Sequence, residues 1–490
     1  MQKHRFFYIL MVALLMLGLF ASACAPAPAP TTAPEEPAAT EAPAEPAEPE
    51  EPAEPEEPAE PVATEEPAAE VPESDVELVF VWHSGGLGEK FEELAQEFTA
   101  ETGIRVRADL VPYGPQWHDK IAAEFAAQGS GFDMAMFDSQ SMSEFASGGH
   151  VLQLNDKIEN SELISLDDFS PAALRQYGEY PEGSGNIFAL PVNQDAMGLV
   201  YRKDLFEDPA EMEAFKAKYG YELAVPETYL QMRDIAEFFT RPDENLWGLA
   251  SYGSRDYDAV TSPLDGVIWS FGGELWDPET KKAEGVINSD INVEALEFYA
   301  DLFQFMPPGA AGWFYDEVNN AVHTGIVAMA INWYYFFFVH ADPEINPFAD
   351  KMGYAVLPGM PDGNGGIRRF SSVGGQGLSI SAYSKYPEEA WMLLEWFMTE
   401  PIQWKWTEIG AQTGRMDILS DPKYTTTKPW NASFPDAMLT VKDYWHLIEY
   451  PELLDIFQKF ASLVVSGEMS ALDALNAVAA EHQAIFDAME

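Results

Sequence analysis

The sequence predicts an α/β protein of two domains, each a mostly parallel sheet flanked by helices. Two observations carry this. Residues 76–490 are 415 positions of mixed composition, more than one hydrophobic core usually serves. Within them, short apolar and β-branched runs alternate with segments of helical periodicity, the β-α-β-α-β order that builds a parallel sheet. Ligands of such sheets sit beyond the carboxyl ends of the strands, so the residues just after each strand are the first candidates for a site.

Ahead of these domains, Lys3, His4 and Arg5 precede an apolar run, Phe6 to Phe20, and then Ala21-Ser22-Ala23-Cys24. A basic start, a short apolar stretch and small residues make a secretory leader. The run falls short of the roughly 20 residues that span a bilayer. Cys24 is the only cysteine, and its setting resembles a bacterial lipoprotein leader, with Ala21 where Leu is more usual. Residues 1–24 are therefore expected to be a lipoprotein signal peptide with Cys24 as the lipidated residue. The protein would sit outside the cytoplasm, anchored to the cell membrane by lipid. Disulfides cannot contribute to the fold.

Residues 25–75 form a Pro/Ala/Glu linker with sixteen acidic residues and no Lys or Arg. Such a segment buries too little apolar surface to order itself, and proline with like charge keeps it extended. At about 3.1 Å per residue its reach is on the order of 150 Å. Of the net charge of −54, the leader contributes +2 and the linker −16, leaving −40 on 76–490. That excess argues against nucleic acid or anionic membrane surfaces as partners. It also weighs against ligands rich in phosphate or carboxylate.

Val76–Trp82 reads as the first strand, followed by the loop His83-Ser84-Gly85-Gly86. Phe91, Leu94, Ala95 and Phe98 recur at helical spacing, and Gly103 suits a stop. Ile104, Val106, Ala108 and Leu110 alternate as a strand; Trp117, Ile121 and Phe125 mark a helix; Phe132–Phe137 is the third strand. The strand-end rule then selects Trp82-His83 and Asp138-Ser139-Gln140. Ala196–Tyr201 is a buried strand with Asn193, Gln194 and Asp195 at its mouth. Thr228 is a plausible N-cap for a helix with Tyr229, Met232, Ile235, Ala236 and Phe239 on one face. The strand Thr324–Trp333 is expected to deliver Asn332, Trp333, Tyr334 and Tyr335 to a cleft. Ser371–Ser381 reads as a glycine-rich loop holding Gln376, ahead of an alternating strand. Pro387–Met398 is a mostly apolar helix, and Ala411–Asp417 offers Arg415 as an isolated cation. Ser470 and Asp473 make a capping box for a last helix, on which His482 is a packing residue.

Three of these stretches carry a family resemblance. Pro191–Phe206, with Asp195 and Tyr201-Arg202-Lys203-Asp204-Leu205-Phe206, is similar to the crossover of the family 1 extracellular solute-binding proteins, the maltose-binding-protein relatives. Pro226–Tyr229 resembles that family's Pro-x-Thr-Trp segment with Tyr229 in the Trp place. Gly325–Trp333 resembles its Gly-Lys-x-Ala-Met strand with Ile326 in the Lys place. The resemblance runs from about Val76 to the C-terminus. It implies a two-lobed periplasmic-binding-protein clamshell of type II, lobe 1 from 76–190 and 358–410, lobe 2 from 191–357 and 411–490. Three crossings join the lobes, at Pro191–Phe206, Tyr354–Pro358 and Ala411–Asp417. The implied role is the substrate-binding component of an ABC importer, a monomer that captures a mono- or oligosaccharide or polyol and delivers it to the permease subunits by hinge closure.

A polyhydroxylated ligand wants apolar ring faces for its C–H surfaces and fixed donors and acceptors for its hydroxyls. The candidates for stacking are Trp82, Trp333 and Tyr335. Those for hydroxyl contacts are Asp138, Gln140, Asn193, Asp195, Gln376 and Arg415. No catalytic residue, cofactor or metal is expected. The glycines of 371–381 lack the Lys-Ser/Thr of a phosphate loop, and Asp362-Gly363-Asn364-Gly365 has only the opening of a calcium loop. Two other readings stay open. One is an extracellular carbohydrate-active enzyme working through paired carboxylates, although neither a Gly-x-Ser-x-Gly elbow nor a His-Glu-x-x-His motif occurs. The other is a same-fold receptor for another solute: a phosphorylated polyol, a peptide, or ferric ion through Tyr334-Tyr335.

Overall fold

The structure is a computed structural model that describes residues 74–489. The expected leader with Cys24, and the linker up to residue 73, lie outside the described residues. The strands are β1 (Glu77–His83), β2 (Arg105–Val111), β3 (Met134–Asp138), β4 (Leu190–Arg202), β5 (Trp247–Ala250), β6 (Val327–Trp333), β7 (Met352–Val356), β8 (Met360–Pro361), β9 (Ile367–Arg368), β10 (Ser371–Ile380) and β11 (Val441–Lys442). The main sheet runs β2-β1-β3-β10-β4-β6-β5, with β11 paired to β10 and β7 to β4.

β1 is buried from Phe80 to His83 and pairs in parallel with both β2 and β3. Its crossover to β2 is the helix Leu87–Thr102, which turns Phe91, Leu94, Ala95 and Phe98 inward and ends at Gly103. There φ is +76° and the amide donates to the Thr99 carbonyl. The helix Pro115–Ala126 buries Trp117, Ile121 and Phe125 and leads on to β3. Phe91 meets Phe80 at 4.7 Å and Phe397, from the helix Pro387–Phe397, at 4.6 Å. The expected helix at 229 also forms, with Thr228 Oγ1 accepting from the Gln231 amide. Among the described residues no helix is long and apolar enough to cross a membrane.

Parallel pairing holds for β2-β1-β3 and again for β5-β6. Between these two halves the sheet is antiparallel, and β4 runs through both. Its first half, Leu190–Ala196, pairs with β10; its second half, Met197–Arg202, pairs with β6 and β7. Thirteen residues are enough for one strand to belong to both halves, and the change of partner falls between Ala196 and Met197, one residue after Asp195.

Two expectations about the return path differ from the structure. Tyr354–Pro358 does not carry the chain back: β7 stays with the second half of β4, and Gly359 remains hydrogen-bonded to Glu227 and Tyr229. The return is β10, which begins beside Ser262 and Ser270 and ends against β3. The stretch read as a glycine-rich loop is thus a strand throughout. Its glycines answer close approach. A Cβ on Gly374 would stand 2.8 Å from the Trp333 ring, one on Gly377 would strike the Tyr177 carbonyl at 2.3 Å, and Gly375 has φ +100°. Residues 411–415 pass alongside β4, where the Gln194 amide donates to the Gln412 carbonyl.

Candidate functional site

The ends of β1, β3 and β6 and the middles of β4 and β10 line a cavity of about 200 Å³. Six residues expected from the sequence line it: Asp138, Gln140, Asp195, Trp333, Tyr335 and Gln376. Asp138 is buried at the end of β3 and accepts from Gln376 Nε2 at 2.8 Å and from the Tyr257 hydroxyl. Gln140 accepts from the Tyr450 hydroxyl at 2.6 Å. Asp195 Oδ1 accepts from the Ala196 amide at 2.8 Å and the Tyr335 amide at 3.2 Å, so this carboxyl ties β4 to the segment after β6. The Trp333 ring lies on the bare backbone of Gly374. The Tyr335 hydroxyl reaches across to accept from the Leu87 amide at 3.4 Å, and its ring stands 5.3 Å from that of His83.

The other three expected residues are placed elsewhere. Trp82 points to the opposite face of β1, fully buried and 6.1 Å from Trp406; side chains alternate along a strand, so the next residue, His83, takes the cavity wall. Asn193 is also fully buried, its Oδ1 accepting from the Gln412 amide at 3.0 Å and its Nδ2 donating to Gln376 Oε1 at 3.4 Å. It joins backbone segments behind the cavity. Arg415 is held by Asp417, two residues along, through bonds of 3.0 and 2.7 Å, and donates to the Met398 carbonyl at 2.9 Å. Its charge is compensated locally and away from the cavity. Tyr334, the neighbour of Tyr335, is buried against Ser433.

Tyr113, Asp258, Tyr315 and Asp316, which no strand end or motif in the sequence singles out, also line the wall. Tyr113, Tyr315, Phe336 and Tyr335 form a chain of aromatic contacts around it: Tyr113–Tyr315 at 5.4 Å, Tyr315–Phe336 at 5.1 Å and Phe336–Tyr335 at 5.1 Å. Tyr257 closes one side by reaching Asp138.

Burial governs the charges. The His83 ring is 2% exposed, and burial pushes its pKa down to about 4, so it is neutral at pH 7. Its Nδ1 donates to the Ser84 carbonyl at 3.1 Å, which leaves Nε2 as an acceptor. Burial pushes Asp138 up to about 6 and Asp258 up to about 8, the second helped by repulsion from Asp138. Asp195 is pushed well above the carboxylate range by the same desolvation. His83 Nε2, Asp258 Oδ1 and Trp333 Nε1 are buried without a hydrogen-bond partner. Other indole nitrogens of the core share that state; these three all belong to one cavity wall.

The same shifts predict a pH profile. Asp258 in the folded chain keeps its proton to about pH 8, whereas an unfolded aspartate releases it near 3.9. His446, beside Asp443, is raised to about 9 against 6.5 unfolded. Asp195 and the fully buried Asp265 are shifted in the same direction as Asp258. Each raised group contributes stability that is complete below its unfolded pKa and lost as pH rises through its folded pKa. Above pH 6.5 all of these act together, each costing up to about 1.4 kcal/mol per pH unit. Below 6.5 the buried His83 and His482, both lowered to about 4, oppose the trend, because the unfolded chain protonates them first. Thermal unfolding is therefore expected to give a falling melting temperature from pH 6.5 to 8; a flat or rising profile would contradict these protonation states.

The family model described as bacterial extracellular solute-binding protein matches residues 84–404. A probable amino-acid ABC transporter periplasmic-binding protein of Sinorhizobium fredii is 23% identical over 349 residues, 71% of this chain and 74% of that one. A mannitol-binding protein of Pseudomonas aeruginosa is 22% identical over 282 residues, 56% of this chain and 58% of that one. A crystal structure of an ABC transporter solute-binding protein from Agrobacterium radiobacter in complex with ribitol aligns with a TM-score of 0.73 at 24% identity, over 84% of this chain and 100% of that one.

Proposed function

Because this chain belongs to the bacterial extracellular solute-binding proteins, we propose that its cavity captures a sugar or polyol for an ABC importer. The fold is the two-lobed type II arrangement of periplasmic binding proteins. Family and fold are those of transporter components, not enzymes. The observation that carries the ligand class is the set of unpartnered wall atoms. Trp333 Nε1 can only donate, neutral His83 Nε2 accepts, and the protonated Asp258 carboxyl offers both a donor and an acceptor. Hydroxyls do both, so a polyhydroxylated ligand relieves all three, and each buried polar group left unpaired costs about 1–3 kcal/mol. The aromatic chain of Tyr113, Tyr315, Phe336 and Tyr335 supplies faces for its C–H surfaces. The cavity volume favours a monosaccharide or short polyol over a long oligosaccharide.

Anionic ligands fit less well. No Lys or Arg lines the wall, which disfavours a phosphorylated polyol and leaves the carboxylate of an amino acid without a counter-charge. Ligand contacts from both halves of the sheet favour the closed form, with β4, β10 and residues 411–415 as the crossings. Lobe 1 then holds 76–190 and lobe 2 the second half of β4 onward, up to the return through β10. Cys24 anchors the chain by lipid, the linker holds the lobes away from the membrane, and the closed monomer docks on the permease subunits.

The experiment is a thermal-shift screen of the purified protein against sugars, polyols, polyol phosphates, amino acids and ferric citrate. A ligand at a hundred times its dissociation constant adds about 2.7 kcal/mol. A sugar or polyol that raises the melting temperature, and shrinks the radius of gyration in small-angle scattering, is the expected result. Stabilisation by phosphates, amino acids or iron alone would overturn the ligand class.

A further inference from the structure

The cavity wall carries four carboxyl groups, Asp138, Asp195, Asp258 and Asp316, and no Lys or Arg. Their hydrogen bonds are unequally satisfied. Asp138 is held by Tyr257 and Gln376, and Asp195 Oδ1 by two backbone amides. Asp258 is 5% exposed and its Oδ1 has no partner at all. In the empty protein, burial beside other carboxyls keeps a proton on Asp258; once ionised it would need a positive charge to meet it, and the chain brings none to this wall. We infer that the ligand itself supplies that charge: the cavity takes a polyhydroxylated solute bearing a protonated amine, with Asp258 as its counter-ion. This rests on the sugar-receptor reading above.

The amine matches what a hydroxyl only partly meets. An ammonium group offers three donors and no acceptor; His83 Nε2, and Asp258 Oδ1 once that carboxyl gives up its proton to the solvent, are the acceptors that meet it on the wall. The rings of Tyr113, Tyr315, Tyr335 and Phe336 add faces that attract a desolvated cation. A bare metal ion suits the wall less well: among the described residues no three His, Cys, Asp or Glu side chains are gathered as a chelate. An organic skeleton can present hydroxyls to Trp333 and a cation to Asp258 at the same time.

The test titrates the purified full-length protein with matched pairs: D-glucose and D-glucosamine, D-galactose and D-galactosamine, scyllo-inositol and streptamine, with N-acetylglucosamine as a control that keeps the nitrogen and removes its charge. The expected result is at least tenfold tighter binding of the amine in one pair, with the N-acetyl form behaving like the neutral sugar. Asp258→Asn should bring the amine-to-neutral ratio down to about one. Asp316→Asn, on a more exposed carboxyl, should lower it two- to threefold, a second readout should Asp258→Asn misfold. Neutral members binding as tightly as their amines would overturn the inference and leave the receptor reading standing. No binding by either member of any pair, or by other sugars and polyols in the wider screen, would overturn both.

Discussion

Asp195→Ala is expected to weaken sugar or polyol binding at least tenfold and to lower the melting temperature of the empty protein. The carboxyl stands on the wall of the cavity and also makes part of that wall. Its Oδ1 holds the amides of Ala196 and Tyr335, one at the point where β4 changes partners and the other on the aromatic residue that reaches Leu87. Removing it leaves two buried N–H groups unpaired, at about 1–3 kcal/mol each, offset in part by the loss of a buried acid. Asp195→Asn keeps an acceptor at the same atom and should recover most of the stability. Calorimetric titration and thermal unfolding of both variants separate the contributions. Parental affinity in the alanine variant would remove Asp195 from the site.

Trp333→Ala should have the largest combined effect. The indole is 4% exposed and lies against Gly374, where even a methyl group would stand 2.8 Å from the ring. Truncating a buried aromatic side chain costs about 3–5 kcal/mol, and here it also removes a cavity wall and the only unpartnered donor named above. Binding should fall more than tenfold, with a lower denaturation midpoint. Trp333→Phe keeps a ring and deletes Nε1–H, so it should lose a smaller part of the affinity and little stability. Equal affinity in the phenylalanine variant would show that the indole N–H makes no ligand contact.

Much of the fold was legible because it rests on local rules. Gly103 stops its helix in a left-handed conformation, Thr228 caps the next, and Ser470 with Asp473 opens the last. Asp138 and Trp333 could be found as the last residues of buried strands, and Gln140 and Tyr335 as the second residues beyond them. The phase of β1 could not: its last four residues are all buried, so no polar alternation tells Trp82 from His83. Arg415 was misplaced although its partner, Asp417, stands two residues away in the sequence. The glycines of β10 read as a loop because their reason, the ring of Trp333 and the carbonyl of Tyr177, lies across the sheet. Asp258 was hidden among 81 acidic residues. What sets it apart is burial near Tyr113, Tyr257 and Tyr450, which only tertiary packing creates.

A crystal structure grown with the most stabilising sugar or polyol would locate the ligand. Ligand density is expected in the cavity of about 200 Å³, with polar ligand atoms within about 3.2 Å of His83 Nε2, Trp333 Nε1 and Asp258 Oδ1. Ligand seated instead in the larger groove beside Trp269, Trp276 and Tyr444, with the cavity holding only water, would contradict it.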